Sequence, residues 1–169
     1  LDSLFTADSK LEGESTSVDI SGLIGQYAHG NEPSHHIAHL YNYVGQPWRT
    51  QEIVDEVLHT LYFNNPDGLS GNEDCGQMSA WYILNAMGFY QVCPGKPVYS
   101  IGRPLFNEAT VHLKDGKSFK VIAHNNSRDN KYVQSIVLNG NKLETPFFTH
   151  QDIVDGGTLE LTMGSEPLK

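Results

Sequence analysis

Basic residues and cysteines are scarce in this sequence, and long hydrophobic runs are missing. Against 20 Asp and Glu there are only 11 Lys and Arg, a formal charge of −9. Such a surface repels phosphate backbones and anionic headgroups, which argues against nucleic acid as a partner. No run of 18 apolar residues occurs, so no helical membrane insertion is expected, and the N-terminus lacks the basic and apolar regions of a signal peptide. The two cysteines, Cys75 and Cys93, have neither a paired CxxC nor a metal-spaced His, a pattern that argues against a structural zinc site. They bracket a predicted helix of roughly 11 residues whose ends stand about 16 Å apart. Two free, partly buried thiols are therefore expected rather than a disulfide. Position 1 is Leu rather than Met, and Leu1, Leu4 and Phe5 look like the tail of a helix begun upstream. The expectation is a piece of a longer protein, for which a missing signal peptide says nothing about compartment.

What is present falls into two halves. Asp8 to Asp19 is polar and reads as a surface loop, and the three glycines between Ile20 and Gly30 suggest backbone held close to something. Pro33 suits a first helical turn, after which Ile37, Leu40, Tyr41 and Val44 recur at helical spacing until Gly45. Pro47 opens another helix with an apolar stripe of Ile53, Val54, Val57, Leu58 and Leu61, broken by Asn64 to Gly68. Gln77 to Met87 is a third, ended by Gly88. From Pro97 onward the pattern alternates. Asp115-Gly116 and Asn139-Gly140 each sit between alternating stretches, as in two-residue hairpins with a type I′ turn, and Thr158 to Met163 supplies another strand. This is an α+β order: a helical part over residues 1–95, then a C-terminal antiparallel β region over 96–169 with at least five strands.

Gly71 to Gly95 joins acidic residues to the start of the aromatic-rich third helix. Asp74 stands three residues before Gln77, the spacing of a capping box, which predicts Asp74 as the N-cap. The same position favours an ionised carboxylate able to take a proton from water. Both roles remain open on local pattern. Glu73 beside it reads locally as a solvated charge. Asn31 and Glu32 offer an amide, a carboxylate and backbone carbonyls, the oxygens a hard cation prefers, or simple helix capping. His35 and His39 have the i, i+4 spacing of a zinc pair, yet neither intervening position carries the Glu of HExxH, so a polar face or sugar contacts are expected instead. Trp48 and Trp81 are aromatic platforms, Trp81 the more core-like of the two because it lies within a helix stripe.

Two stretches, Gly25 to Gln51 (GQYAHGNEPSHHIAHLYNYVGQPWRTQ) and Gly71 to Gly95 (GNEDCGQMSAWYILNAMGFYQVCPG), closely resemble glycoside hydrolase family 92, the calcium-dependent exo-α-mannosidases of bacteria. The likeness runs from about Asp19 to Phe106. It implies the last helices of an (α/α)₆ barrel packed against a small β region. It also implies inverting hydrolysis of terminal α-linked mannose in a glycan, outside the cytoplasm of a bacterium. By motif position Asp74 would be the general base and Asn72 would orient the water. Asn31 and Glu32 would bind Ca²⁺, and His36, Trp48, Gln77 and Glu73 would meet the substrate. Inversion needs a second carboxyl group as general acid. In the family it sits in an aromatic-rich Glu-Gly motif that has no counterpart here, and Glu12 and Glu14 lie in polar surroundings with no apolar wall. A chain so placed would be inactive alone. Its apolar stripes Ile37 to Val44 and Ile53 to Leu61 would call for the rest of its parent or for self-association. The alternative is a non-catalytic carbohydrate-binding or structural module with the strands as its working part.

Overall fold

Helical and alternating stretches segregate along the chain, as their periodicities require. A computed structural model describes residues 1–11, 17 and 20–169. Most of the polar stretch expected as a loop, Glu12 and Glu14 included, lies outside the described residues. The first part contains helix α1 (Asp2–Thr6), a small hairpin of β1 (Leu23–Ile24) and β2 (Tyr27–Ala28), helix α2 (Pro47–Thr60) and helix α3 (Gln77–Met87). Gly88, at φ 102°, ends α3 in the left-handed region, where a residue without Cβ is favoured. The Ile53, Val54, Val57 and Leu58 stripe of α2 is buried with Phe5, Ile24, Tyr27, Ala38, Tyr41 and Trp81. That stripe therefore finds its partners within the chain, contrary to the expectation that it would be left uncovered, while Tyr43 and Val44 are exposed.

The segment expected as one helix from Pro33 to Gly45 is instead two 3₁₀ turns, Glu32–Ser34 and Ile37–Val44. In a 3₁₀ helix residues i and i+3 eclipse. His39 and Asn42 are spaced this way, and both reach the Ser100 hydroxyl, at 3.1 and 2.7 Å.

The β region follows with β3 (Phe89–Tyr90), β4 (Val98–Ile101), β5 (Glu108–His112), β6 (Ser118–His124), β7 (Tyr132–Leu138), β8 (Asn141–Lys142), β9 (Phe147–Thr149), helix α4 (His150–Asp155) and β10 (Gly157–Gly164). Asp115 and Gly116, and likewise Asn139 and Gly140, have positive φ, as the two hairpin turns demand. A three-stranded sheet runs β3-β4-β9 and a five-stranded sheet runs β5-β6-β10-β7-β8. The larger sheet is not wholly antiparallel. β6 and β7 point in opposite directions, so β10, inserted between them, pairs antiparallel with β7 and necessarily parallel with β6. Leu159, Leu161 and Met163 of this central strand share a core with Phe89, Ile101, Phe119, Phe148 and Ile153.

Polar groups join the helical part to the sheet. The buried Arg103 Nε lies 2.9 Å from the Asp55 carboxylate of α2. Val133 N donates to Gln51 Oε1 at 3.1 Å, and the Tyr132 hydroxyl donates to Glu52 at 2.9 Å.

Candidate active site

The site begins where two loops touch. A Cβ on Gly71 would stand 2.7 Å from the carbonyl oxygen of Gly30, and one on Gly30 would stand 2.1 Å from Ser21 Oγ. Glycine at these positions lets the Gly71–Gly76 loop lie against the loop carrying Asn31 and Glu32. Beyond the contact, Asp74, Cys75 and Gly76 take positive φ in succession, at 47°, 57° and 97°. Left-handed backbone is costly for the first two, which carry a Cβ.

That conformation decides which carboxylate caps α3. The N-cap is Gly76 and not the expected Asp74, whose side chain makes no capping bond. Glu73 reaches over instead. Its carboxylate accepts from the Ser79 backbone N at 3.0 Å and from the Ser79 hydroxyl at 2.9 Å, and its carbonyl accepts from Gly76 N and Met78 N. Glu73 thus supplies the carboxylate that the helix N-terminus attracts. The Asp74 side chain is left exposed with no protein hydrogen bond among the described residues.

An open pocket of about 540 Å³ is lined by Glu32, His35, His36, Asp74, Gln77, Tyr90 and Gln91, with Pro33, Val92 and Pro94 as its apolar edge. It brings together Glu32, His36, Asp74 and Gln77 of the residues named from sequence. Asn31 and Asn72 are exposed neighbours that do not line it. Asn31's carbonyl is taken by Ser34. Trp48 is elsewhere: at the start of α2 it lines a cleft of about 170 Å³ with Gln51, Val133, Leu143 and Leu168. Trp81 is fully buried, its indole N donating to the His35 carbonyl at 3.0 Å. Cys75 and Cys93 are free, and exposed rather than partly buried. The chain after Gly88 does fold back along α3, since the Tyr90 hydroxyl reaches Gln77 at the first helical turn, at 3.2 Å.

Around this pocket lies a polar core that sequence inspection missed in part. His29 sits between the hydroxyls of Tyr27 (2.9 Å) and Tyr62 (2.7 Å) and stacks on His35 at 4.8 Å between ring centroids. His39 holds Asn85 Oδ1 at 2.8 Å and the Ser100 hydroxyl. Burial, with the neighbouring His35, pushes the His29 pKa down to about 3. Burial pushes His39 down to about 4, against the hydrogen bond to Asn85, and also lowers His35. These rings are neutral and serve as hydrogen-bonding struts. The i, i+4 pair His35 and His39 therefore faces two separate sets of protein partners. His29 and Tyr90 were not singled out, because the contacts that mark them come from partners distant in the chain, Tyr62 and Trp81 for His29 and Gln77 for Tyr90. One atom in the pocket wall stands out: Glu32 Oε1 is buried with no hydrogen-bond partner. Among the described residues no group of three His, Cys, Asp or Glu side chains is arranged to hold a metal by itself.

Residues 1–165 match the family model described as the glycosyl hydrolase family 92 catalytic domain. The structure superposes on a family GH92 α-mannosidase of Bacteroides thetaiotaomicron solved with mannoimidazole, with a TM-score of 0.91 and 44% identity over 99% of this chain and 22% of that one. A family GH92 inverting mannosidase of the same species gives 0.79 and 49% over 85% of this chain and 19% of that one. An uncharacterized secreted glycosidase of Arthroderma benhamiae is 32% identical over 140 residues, 81% of this chain and 18% of the relative. The chain thus spans about a fifth of the length of these relatives.

Proposed function

The chain belongs to glycosyl hydrolase family 92, and on that premise we propose that it forms one wall of the active site of a calcium-dependent exo-α-mannosidase. The proposed reaction removes terminal α-linked mannose from a glycan with inversion. The observation that carries this reading is the division of labour between neighbouring carboxylates: Glu73 caps α3, and Asp74 is held free at a pocket shared with Glu32, His36 and Gln77. A side chain needed only as a cap would be the one capping.

In this reading Asp74 is the general base. It takes a proton from a water that attacks the anomeric carbon, on the face opposite the departing oxygen. Asn72 orients that water, and His36 and Gln77 meet sugar hydroxyls. The general acid that protonates the leaving oxygen is assigned to the protein beyond this chain, as is the remainder of an (α/α)₆ barrel to which the helices belong. Glu32 and Asn31 would hold Ca²⁺, and the partnerless Glu32 Oε1 is the kind of hard oxygen ligand that cation takes. Bound there, the ion would supply a grip on two adjacent hydroxyls of the sugar. Trp48 has no part in this site. The secreted relative supports a place outside the cytoplasm, and the two Bacteroides mannosidases support a bacterial source.

The test is made in the complete protein that carries this chain. Asp74→Asn should lower the rate on α-mannosides by on the order of 10²-fold or more with the fold intact. Near-normal turnover would return Asp74 to a structural role. Exhaustive chelation should abolish activity and added Ca²⁺ restore it; activity that survives chelation would sink the calcium assignment.

A further inference from the structure

The buried His35 ring meets a partner of definite sense at each nitrogen. Nε2 lies 3.0 Å from the backbone carbonyl oxygen of His29, which can only accept, so the proton of the neutral ring sits on Nε2. Nδ1 then carries a lone pair, and it faces the side-chain nitrogen of Gln77 at 3.1 Å. The same nitrogen lies 3.2 Å from the Tyr90 hydroxyl oxygen. Both amide N–H groups of Gln77 are thereby engaged. Two consequences follow for the pocket that these residues line. Gln77 Oε1 has no protein donor among the described residues and is not among the buried unpartnered atoms, so it is open to the pocket. The Tyr90 oxygen, having accepted one hydrogen bond, keeps its own proton to give.

We propose that His35 is a positioning residue that sets the polarity of a sugar-hydroxyl subsite. The lone pair on its Nδ1 turns the Gln77 amide so that Gln77 Oε1 and the Tyr90 O–H present one acceptor and one donor to a single hydroxyl of the substrate. A hydroxyl both donates and accepts, and so matches that pair. The two ends of an amide are nearly the same shape, so without the imidazole nothing local forbids the reversed amide, in which the Tyr90 O–H would turn to the Gln77 oxygen and the donor and acceptor offered to the substrate would trade places. The His29 carbonyl, by holding the Nε2 proton, keeps the lone pair on Nδ1. The Trp81 indole bond to the His35 carbonyl ties the same residue to α3. This inference rests on the reading of the pocket as a sugar site and deepens it.

The test is a double-mutant cycle in the complete protein, read as kcat/KM on an aryl α-mannoside. Gln77→Ala and His35→Phe should each lose on the order of 10- to 100-fold. The double variant should lose no more than Gln77→Ala alone, because His35 acts through Gln77. Losses that multiply, or a Gln77→Ala enzyme with normal kinetics, would overturn the proposal. Among monodeoxy mannosides, one should be cleaved equally well by Gln77→Ala and unmodified enzyme; sensitivity to Gln77→Ala across the whole series would overturn the single-hydroxyl assignment. If His35→Phe does not fold, the ring ¹⁵N chemical shifts of His35 in the unmodified protein decide. They should show Nε2 protonated and Nδ1 bare at pH 7, and the opposite tautomer or a charged ring would sink the idea. Those shifts do not depend on turnover, so an unmodified protein that cleaves no α-mannoside would defeat the functional reading separately.

Discussion

The two cores of this chain are built from different materials. The β region buries Phe119, Val121, Leu159, Leu161, Met163 and their neighbours, and its buried polar side chains Ser100 and Arg103 turn toward partners in the helical region. The helical region interleaves its apolar cluster with His29, His35, His39, Asn42, Gln51, Asp55 and Asn85, all of them buried. Area burial alone stabilises the first, and its side chains are interchangeable within limits of volume. The second must satisfy each polar atom, which ties every ring and amide to one orientation. The pocket stands on the second, and Gln77 shows why: an apolar floor would leave its amide free to turn, whereas His35 and Tyr90 hold it. The difference teaches that the costly core is the one that orients side chains, and the inexpensive core is the one that supports it.

The most damaging way to break the comparison is at the seam between the regions. Asp55→Ala would leave the Arg103 guanidinium, only 2% exposed, without its carboxylate. A loss of about 3 to 5 kcal/mol is expected from denaturant titration. A loss under about 1 kcal/mol would show the two regions to be less dependent on that pair.

Acid should separate the regions next. His29 and His39 are held neutral when folded, with pKa values near 3 and 4, and ionise near 6.5 when unfolded. Between about pH 6.5 and 4 the unfolded chain binds more protons, so stability is full above that window and falls as pH falls through it. Between pH 7 and 5 the loss is about 2 kcal/mol for each ring, about 4 for both. Amide exchange should show α2 and α3 opening before β6 and β10. Simultaneous opening, or no change down to pH 5, would erase the distinction drawn between wet and dry cores.

The smallest effect sharpens the comparison from the other side. Leu161→Ala, in the middle of the apolar core, should cost about 3 kcal/mol through lost burial and a residual cavity. In the complete protein it should leave KM for an α-mannoside unchanged, since Leu161 supports the site without orienting any group in it. A shifted KM would mean that the dry core also sets side-chain positions in the pocket.

Much of this structure was legible in the sequence where the deciding interactions are local. The limits of α2 and α3 follow from Pro47, the apolar stripes and Gly88, because helical periodicity and left-handed termination act within a few residues. The turns at Asp115-Gly116 and Asn139-Gly140 follow from residues that tolerate positive φ. The pairing of Asp74 with Glu32, His36 and Gln77 was legible through motif resemblance, and glycines at positions 30 and 71 permit it. The rest depended on partners far along the chain. Capping by Glu73 rather than Asp74 rests on left-handed backbone at Asp74 and Cys75. The parallel pairing of β10 with β6 answers to the direction of β7. Trp48 lines a different cleft because α2 begins against the sheet. The sense of the Gln77 amide hangs on His29, His35 and Tyr90, residues brought together only by folding. Local pattern sets which backbone shapes are allowed, but a hydrogen bond's direction is set by whatever group tertiary packing places at its other end.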